Sequence, residues 1–385
     1  MKVRSITVFA EIGLDQDEAA LDRLGAFAIE GRRAYEQAGY VVQTARLALD
    51  AFSVLERRAS ADDAEGLADH VAALEAFALA HGFDFVSLGP AGPRILPHLP
   101  AIFRATNTVF ATTHMLAPGG AIDGQAIRAA ARVILELAQI GDGFGNLRFA
   151  ALANVAPGTP FFPAAYADGG PPAFALAIES ADLALQACSG ARDADEARQH
   201  LIADIEAQAA GLVSVGEALS RKRRLLGRPL RFLGLDFSLA PFPSPEVTIG
   251  AALEALSGGR LGCPGTLAAA ATLTQAIDEA QFPHAGFCGL MLPVMEDSVL
   301  AKRAAEGRLG LAELLQWSAV CGTGLDTVPL PGDVTEGALA GLLFDVASLS
   351  ARLKKPLTAR LMPLPGKVAG DAVHFDFGYF ADGGV

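Results

Sequence analysis

Asp236-Phe237-Ser238 sets a carboxylate and a hydroxyl at i and i+2, and in an extended chain those two side chains leave the strand on the same side. They could share one ligand or metal, or Asp236 could tie down the following Leu239-Ala240-Pro241 loop by accepting backbone N–H groups, as Asx turns do. Cys321-Gly322-Thr323-Gly324-Leu325-Asp326 combines a thiol, two glycines able to turn N–H groups toward an anion, and a carboxylate entering a strand. Asp326, Gly322 and Gly324 carry the stronger functional signal there, since a free cysteine such as Cys321 is often only a small buried hydrophobe. Cys263-Pro264-Gly265-Thr266 opens an uncharged helix, so Thr266 either meets an anion at the positive helix end or simply caps a turn. Arg4, Arg46 and Arg360 lie in apolar runs and are candidates to hold a carboxylate or phosphate, and Glu296 adds an acid, base or metal-binding oxygen. Carboxylates and hydroxyls without a Cys/His cluster favour a hard cation such as Mg²⁺ if a metal is bound.

These residues must be held by strands and helices in alternation, the rhythm of an α/β protein. Ten short apolar, β-branched runs are candidate strands: 3–9, 41–48, 84–88, 107–112, 147–154, 174–180, 231–237, 285–293, 324–330 and 357–363. That is too many for an eight-stranded barrel and fits a larger barrel or two packed halves. Between the runs lie capped helices. Ser60-Ala61-Asp62-Asp63 opens one with Leu67, Val71, Leu74 and Ala78 on a single face and Gly82 at its end. Ser244-Pro245-Glu246 opens another, stopped by Ser257-Gly258-Gly259, and a third runs from Thr335 to Lys355, ended by Pro356. In parallel α/β architectures chemistry gathers at the C-terminal strand ends, which is why the residues above stand out. The one long segment without elements, Val155 to Pro172, is rich in Gly, Pro and Phe, and loops of that length in compact proteins are usually functional, so it is a candidate plug or lid.

The 385 residues are 51% hydrophobic and 19% charged, a globular composition. A formal net charge of −13 repels nucleic acid and anionic membrane at long range, and the cluster Arg221-Lys222-Arg223-Arg224 reads as the end of a long helix, complementing its dipole. Cys188, Cys263, Cys288 and Cys321 form no CxxC pair, which points to a reducing cytoplasm. The start of the chain has no signal-peptide core, and the longest uncharged stretch is broken by Pro264 and two glycines, against a membrane span. G-x-S-x-G, Walker A and H-E-x-x-H patterns are absent from the sequence.

The segments Gly234-Leu235-Asp236-Phe237-Ser238-Leu239-Ala240-Pro241, Gly265-Thr266 and Cys321 to Asp326, with the start Val3-Arg4-Ser5-Ile6-Thr7, resemble a bacterial and archaeal family of unknown function labelled pyruvate-formate-lyase-like. The resemblance implies a ten-stranded α/β barrel of two five-stranded halves, as in pyruvate formate-lyase and ribonucleotide reductase. One domain would then span 1–385, with half-barrels near 1–155 and 173–385 and a central loop at 155–172. In those radical enzymes that loop carries a cysteine, whereas Val155 to Pro172 has none, and Phe377-Gly378-Tyr379 lacks the Arg-Val part of a glycyl radical site. The resemblance is therefore one of fold. The expected function is an enzyme acting on a small polar or anionic metabolite, with Asp236, Ser238, Asp326 and Cys321 as catalytic candidates. Arg4, Arg46, Thr266, Gly322, Gly324 and Arg360 would bind substrate. The alternative is a noncatalytic ligand-binding or regulatory protein, and a homodimer is the default assembly.

Overall fold

A computed structural model describes residues 1–12, 18–50, 52 and 64–385. Nine strands form one sheet: β1 (Lys2–Ala10), β2 (Val42–Leu49), β3 (Phe85–Pro90), β4 (Val109–His114), β5 (Phe149–Ala153), β6 (Ala173–Glu179), β7 (Arg231–Ala240), β8 (Gly324–Pro331) and β9 (Leu357–Leu364). Eleven α-helices accompany them among the described residues: α1 (Glu18–Gln37), α2 (Ala64–Ala80), α3 (Leu99–Ala105), α4 (Gly124–Ala138), α5 (Ala181–Gly190), α6 (Ala194–Ser220), α7 (Ile249–Ser257), α8 (Thr266–Glu279), α9 (Ser298–Ala305), α10 (Leu311–Ser318) and α11 (Glu336–Leu353).

The sheet order is β8-β9-β5-β4-β3-β2-β1-β6-β7. Strands β1 to β5 are mutually parallel, as are β6 with β7 and β8 with β9, but the junctions β1–β6 and β5–β9 are antiparallel. The sheet is thus mixed, and its two halves point their C-terminal ends in opposite directions. The expectation that all chemistry would gather at C-terminal strand ends is corrected accordingly.

Alternation along the strands separates two environments. Ile6, Val8, Leu47, Leu49, Ala359 and Leu361 join the large core shared with the helices. The opposite face carries Phe9, Ala48, Ala150 and Leu152, and against it packs the 155–172 loop. Phe161, Phe162, Ala164 and Ala165 of that loop are buried, Thr7 Oγ1 donates to Pro160 O at 2.8 Å and Ser87 Oγ to Ala165 O at 2.6 Å. The loop is a plug in contact with the inner face rather than an exposed lid.

Eight of the ten expected runs coincide with β1, β2, β3, β5, β6, β7, β8 and β9 within a few residues, and 107–112 shifts slightly to β4. The tenth, 285–293, is irregular: it makes a single parallel bridge, Pro293 to Asp326 of one edge strand, and His284 just before it bridges to Leu235 of the other. The reason is local. The N–H groups of Phe287 and Cys288 are taken by the Asp236 carboxylate instead of a strand carbonyl, and Gly286 and Cys288 have φ of 78° and 41°. On α2 the face Leu67, Val71, Leu74 and Ala78 is buried as expected, while the Ser60–Asp63 cap lies outside the described residues. α11 is capped by Thr335 as expected, but α7 begins at Ile249 with Thr248 as its cap, not at Ser244. Asp297 decides this start, because its carboxylate accepts from Thr248 Oγ1 and from the N–H groups of Ile249 and Gly250. The basic cluster follows α6, where Arg223 forks onto Glu30 of α1 and Arg224 closes a short hairpin. Among the described residues no helix is long and apolar enough to cross a membrane.

Candidate functional site

Three strands carry arginine into the inner face, β1 through a bulge, and a second bulge, on β8, turns a carboxylate toward one of them. On β1 the pairing with β6 slips between Val3 and Ser5, so Arg4 and Ser5 together oppose a single step of the partner and Arg4 is re-aimed inward. On β8 the register slips between Leu325 and Val328, with Thr327 at φ 42°, and Asp326 comes to face Arg360 of β9. Arg46 follows ordinary alternation on β2, between outward-facing Ala45 and Leu47.

The three guanidiniums border one cavity of about 80 Å³. Glu296, just beyond the 285–293 segment, bridges two of them. It accepts from Arg4 Nη2 at 2.6 Å through Oε2 and from Arg360 Nη2 at 2.7 Å through Oε1. Asp326 Oδ1 accepts from Arg360 Nε at 2.5 Å, and Arg4 also reaches Glu179, the last residue of β6, at 3.3 Å. The chain Glu179–Arg4–Glu296–Arg360–Asp326 therefore runs across the cavity wall with each guanidinium between two carboxylates. Burial pushes the Asp326 carboxyl above its ordinary range, with the Arg360 charge opposing and the Glu296 charge adding to the rise.

Arg46 differs. Its Nε donates to Thr44 Oγ1 at 2.9 Å, its terminal nitrogens meet no carboxylate among the described residues, and only 8% of it is exposed. Phe85 and Phe162 pack against it, with ring centroids 5.6 and 5.2 Å from the guanidinium carbon, a cation–π arrangement. Burial, and then repulsion from Arg4, pushes its pKa down to about 9, so it remains cationic at neutral pH. Glu296, Tyr379 and Asp84 attract it from a distance, but among the described residues Arg46 is the guanidinium of this wall without a direct carboxylate partner, and a buried cation in that state is costly.

Of the residues singled out from the sequence, Arg4, Arg46, Glu296, Asp326 and Arg360 converge on this cavity. The others lie apart from its lining. Asp236 is fully buried and accepts from Ser238 Oγ, Phe287 N at 2.8 Å and Cys288 N at 2.9 Å, so the pair clamps the 285–293 segment to β7. Burial raises the Asp236 carboxyl to about 7 in spite of those donors. Cys321 is buried at the end of α10, and the Lys355 ammonium binds its carbonyl. Gly322 lies against the backbone of Gly289, where an added Cβ would come within 2.3 Å of Cα, and Gly324 has φ 91° with Thr358 O closing the space. Both glycines serve close backbone approach rather than an anion nest. Thr266 is the first residue of α8, after an N-cap at Gly265, and its hydroxyl donates back to Cys263 O at 3.0 Å.

The donor set does not fit Mg²⁺. Both oxygens of Glu296 face guanidinium groups, and among the described residues no three His, Cys, Asp or Glu side chains gather as metal ligands do.

Sequence reasoning missed Glu179, Phe162 and Tyr379. Tyr379 lines the cavity with its ring centroid 5.1 Å from the Arg4 guanidinium carbon, and Phe377 lines it nearby. The signal was available in the aromatic tail Phe375-Asp376-Phe377-Gly378-Tyr379-Phe380, whose spacing suits a stretch that packs its rings on something. Nothing in the sequence around Glu179 distinguishes it from a helix-capping acid.

Comparison with known proteins places the chain in a wider group. Residues 1–376 match the family model described as Uncharacterised ACR (DUF711). The chain belongs to this family. A "UPF0210 protein" of Pyrobaculum islandicum is 32% identical over 365 residues, 90% of this chain and 78% of that protein. Another, of Pyrobaculum arsenaticum, is 31% identical over 349 residues, 86% of this chain and 76% of that protein. A third, of Desulforudis audaxviator, is 31% identical over 289 residues, 73% of this chain and 64% of that protein. The family and these relatives do not carry the pyruvate-formate-lyase-like label that the resemblance suggested, and that label is dropped.

Proposed function

We propose that this family member is an enzyme that binds a small organic anion at Arg46 and moves a proton through Asp326, inside a ten-stranded α/β barrel of two five-stranded halves. Two observations support the closed barrel. Arg4 on β1 and Arg360 on β9 stand five places apart in the sheet order yet share the Glu296 carboxylate, so the sheet is strongly curled. Residues 284–293 bridge both edge strands at their two ends and would be the tenth stave.

The observation that carries the anion site is the buried Arg46 guanidinium without a carboxylate, beside two guanidiniums that each have two. Asp326 supports the catalytic part: a carboxyl in a cleft, held by Arg360, whose burial raises its proton affinity. The second reading, a noncatalytic binding or regulatory protein, is favoured by the way Arg360 and Arg4 hold both cavity carboxylates in fixed pairs. One experiment addresses both. Wild type, Arg46→Met and Asp326→Asn are incubated with a panel of small carboxylates and phosphates, with thermal shift reporting binding and NMR reporting conversion. An anion that stabilises wild type and not Arg46→Met, and is converted by wild type and not Asp326→Asn, supports the enzyme. Binding that depends on Arg46 without conversion supports the regulator. Stabilisation that is the same in Arg46→Met removes the anion site.

A further inference from the structure

Resting on the Arg46 reading, we infer that the cavity selects an aromatic monocarboxylate rather than a phosphate or a polycarboxylate. Three features argue for this class: the geometry of the free donors, the charge balance of the wall and the chemistry of its surface.

Arg46 keeps two terminal nitrogens for a ligand, since Thr44 occupies Nε. A guanidinium edge with two parallel donors matches the two oxygens of one planar carboxylate. Phe85 and Phe162 crowd the same guanidinium and restrict approach to that edge.

The charges around the cavity leave room for a single negative charge. Lys2, Arg4, Arg46 and Arg360 are the cations, and Glu179, Glu296 and Asp326 the carboxylates, with Lys2 3.5 Å from Glu179. Asp84, which also lies near Arg46, is matched by Arg32 at 2.7 Å. Four cations against three carboxylates leave one positive charge uncompensated. A phosphate dianion or a citrate would bring excess negative charge against Glu296 and Asp326 in a buried wall, where like charges are costly.

The rest of the surface is aromatic. Phe110 meets Phe85 and Phe162 edge-on, with centroids 5.5 and 5.2 Å apart, while Phe377, Tyr379 and Met291 also border the cavity. Ring edges and a thioether favour an aromatic guest through edge-to-face and sulfur–ring contacts.

Isothermal titration calorimetry with benzoate, benzamide, acetate, inorganic phosphate and citrate tests this on the intact chain. Benzoate is expected to bind wild type at one site per chain, at least about tenfold tighter than neutral benzamide, which lacks the charge-assisted pair, than acetate, which lacks the ring, and than phosphate or citrate, which bring excess charge. Arg46→Met is expected to weaken benzoate at least about tenfold, and Arg46→Lys to fall between. The benzoate and benzamide comparison uses wild type alone, so it holds even if a variant fails to fold. Phosphate, citrate or acetate binding as tightly as benzoate, and lost in Arg46→Met, would keep the anion site and overturn the aromatic monocarboxylate. Benzoate binding equally to Arg46→Met, or no Arg46-dependent binding of any probe, would overturn both.

Discussion

Replacing Asp236 by Asn separates two forces on one buried carboxyl, burial and hydrogen bonding, by their pH dependence. Burial raises the Asp236 pKa from its ordinary 3.8 to about 7. The folded protein therefore holds a proton that the unfolded chain has already lost, so stability is full below about pH 4 and falls as pH rises toward 7. At 1.36 kcal/mol per unit, the two units from pH 5 to about pH 7 cost wild type about 3 kcal/mol through this group. Asparagine does not titrate and lacks that loss. It has its own cost, because its NH₂ cannot accept, and either Phe287 N or Cys288 N is left unsatisfied in a buried site, about 1–3 kcal/mol. Asp236→Asn is expected to be less stable than wild type by about 1–3 kcal/mol at pH 5, with the gap closed or reversed at pH 8. Urea denaturation of both proteins at the two pH values reads the difference directly. A gap that stays constant or widens with pH would mean that the N–H groups outweigh burial and hold the group as a carboxylate, and the reasoning would fail.

Asp297, buried between two helix starts, accepts from the N–H groups of Ile249, Gly250, Val299 and Leu300. Asp297→Ala is expected to lose about 2–4 kcal/mol, two caps together, measured by chemical denaturation, and a loss under about 1 kcal/mol would contradict the double-cap role. Gly322→Ala would drive a methyl to within 2.3 Å of Gly289 Cα, with no flexible side chain to yield. It is expected to destabilise by about 1–3 kcal/mol while leaving benzoate affinity at Arg46 unchanged, and a selective loss of anion binding in a stable variant would restore the glycine to the ligand site.

Much of this protein was legible in its residues. Local rules sufficed for the capped helix from Thr335, for Gly258 ending α7, and for the strand runs, because caps, turns and alternation depend on near neighbours. The arginines were legible as candidates for a related reason: a guanidinium in an apolar run must find a partner or serve one. The sequence did not resolve whether Asp236 met a ligand or a backbone, nor that Ser244 would yield its cap to Thr248. Both outcomes were settled by groups about fifty residues away, Phe287 and Cys288 in one case and Asp297 in the other.

The composition, the alternation and the ten apolar runs determined an α/β protein with its titratable groups on strands. The tertiary structure alone decided which of them meet. Strand direction at β1–β6 and β5–β9, the one-residue slips at Arg4 and Asp326, and the curl that brings β1 and β9 to Glu296 are choices of long-range pairing. A slip of one residue reverses the face a side chain occupies, and no local propensity encodes it.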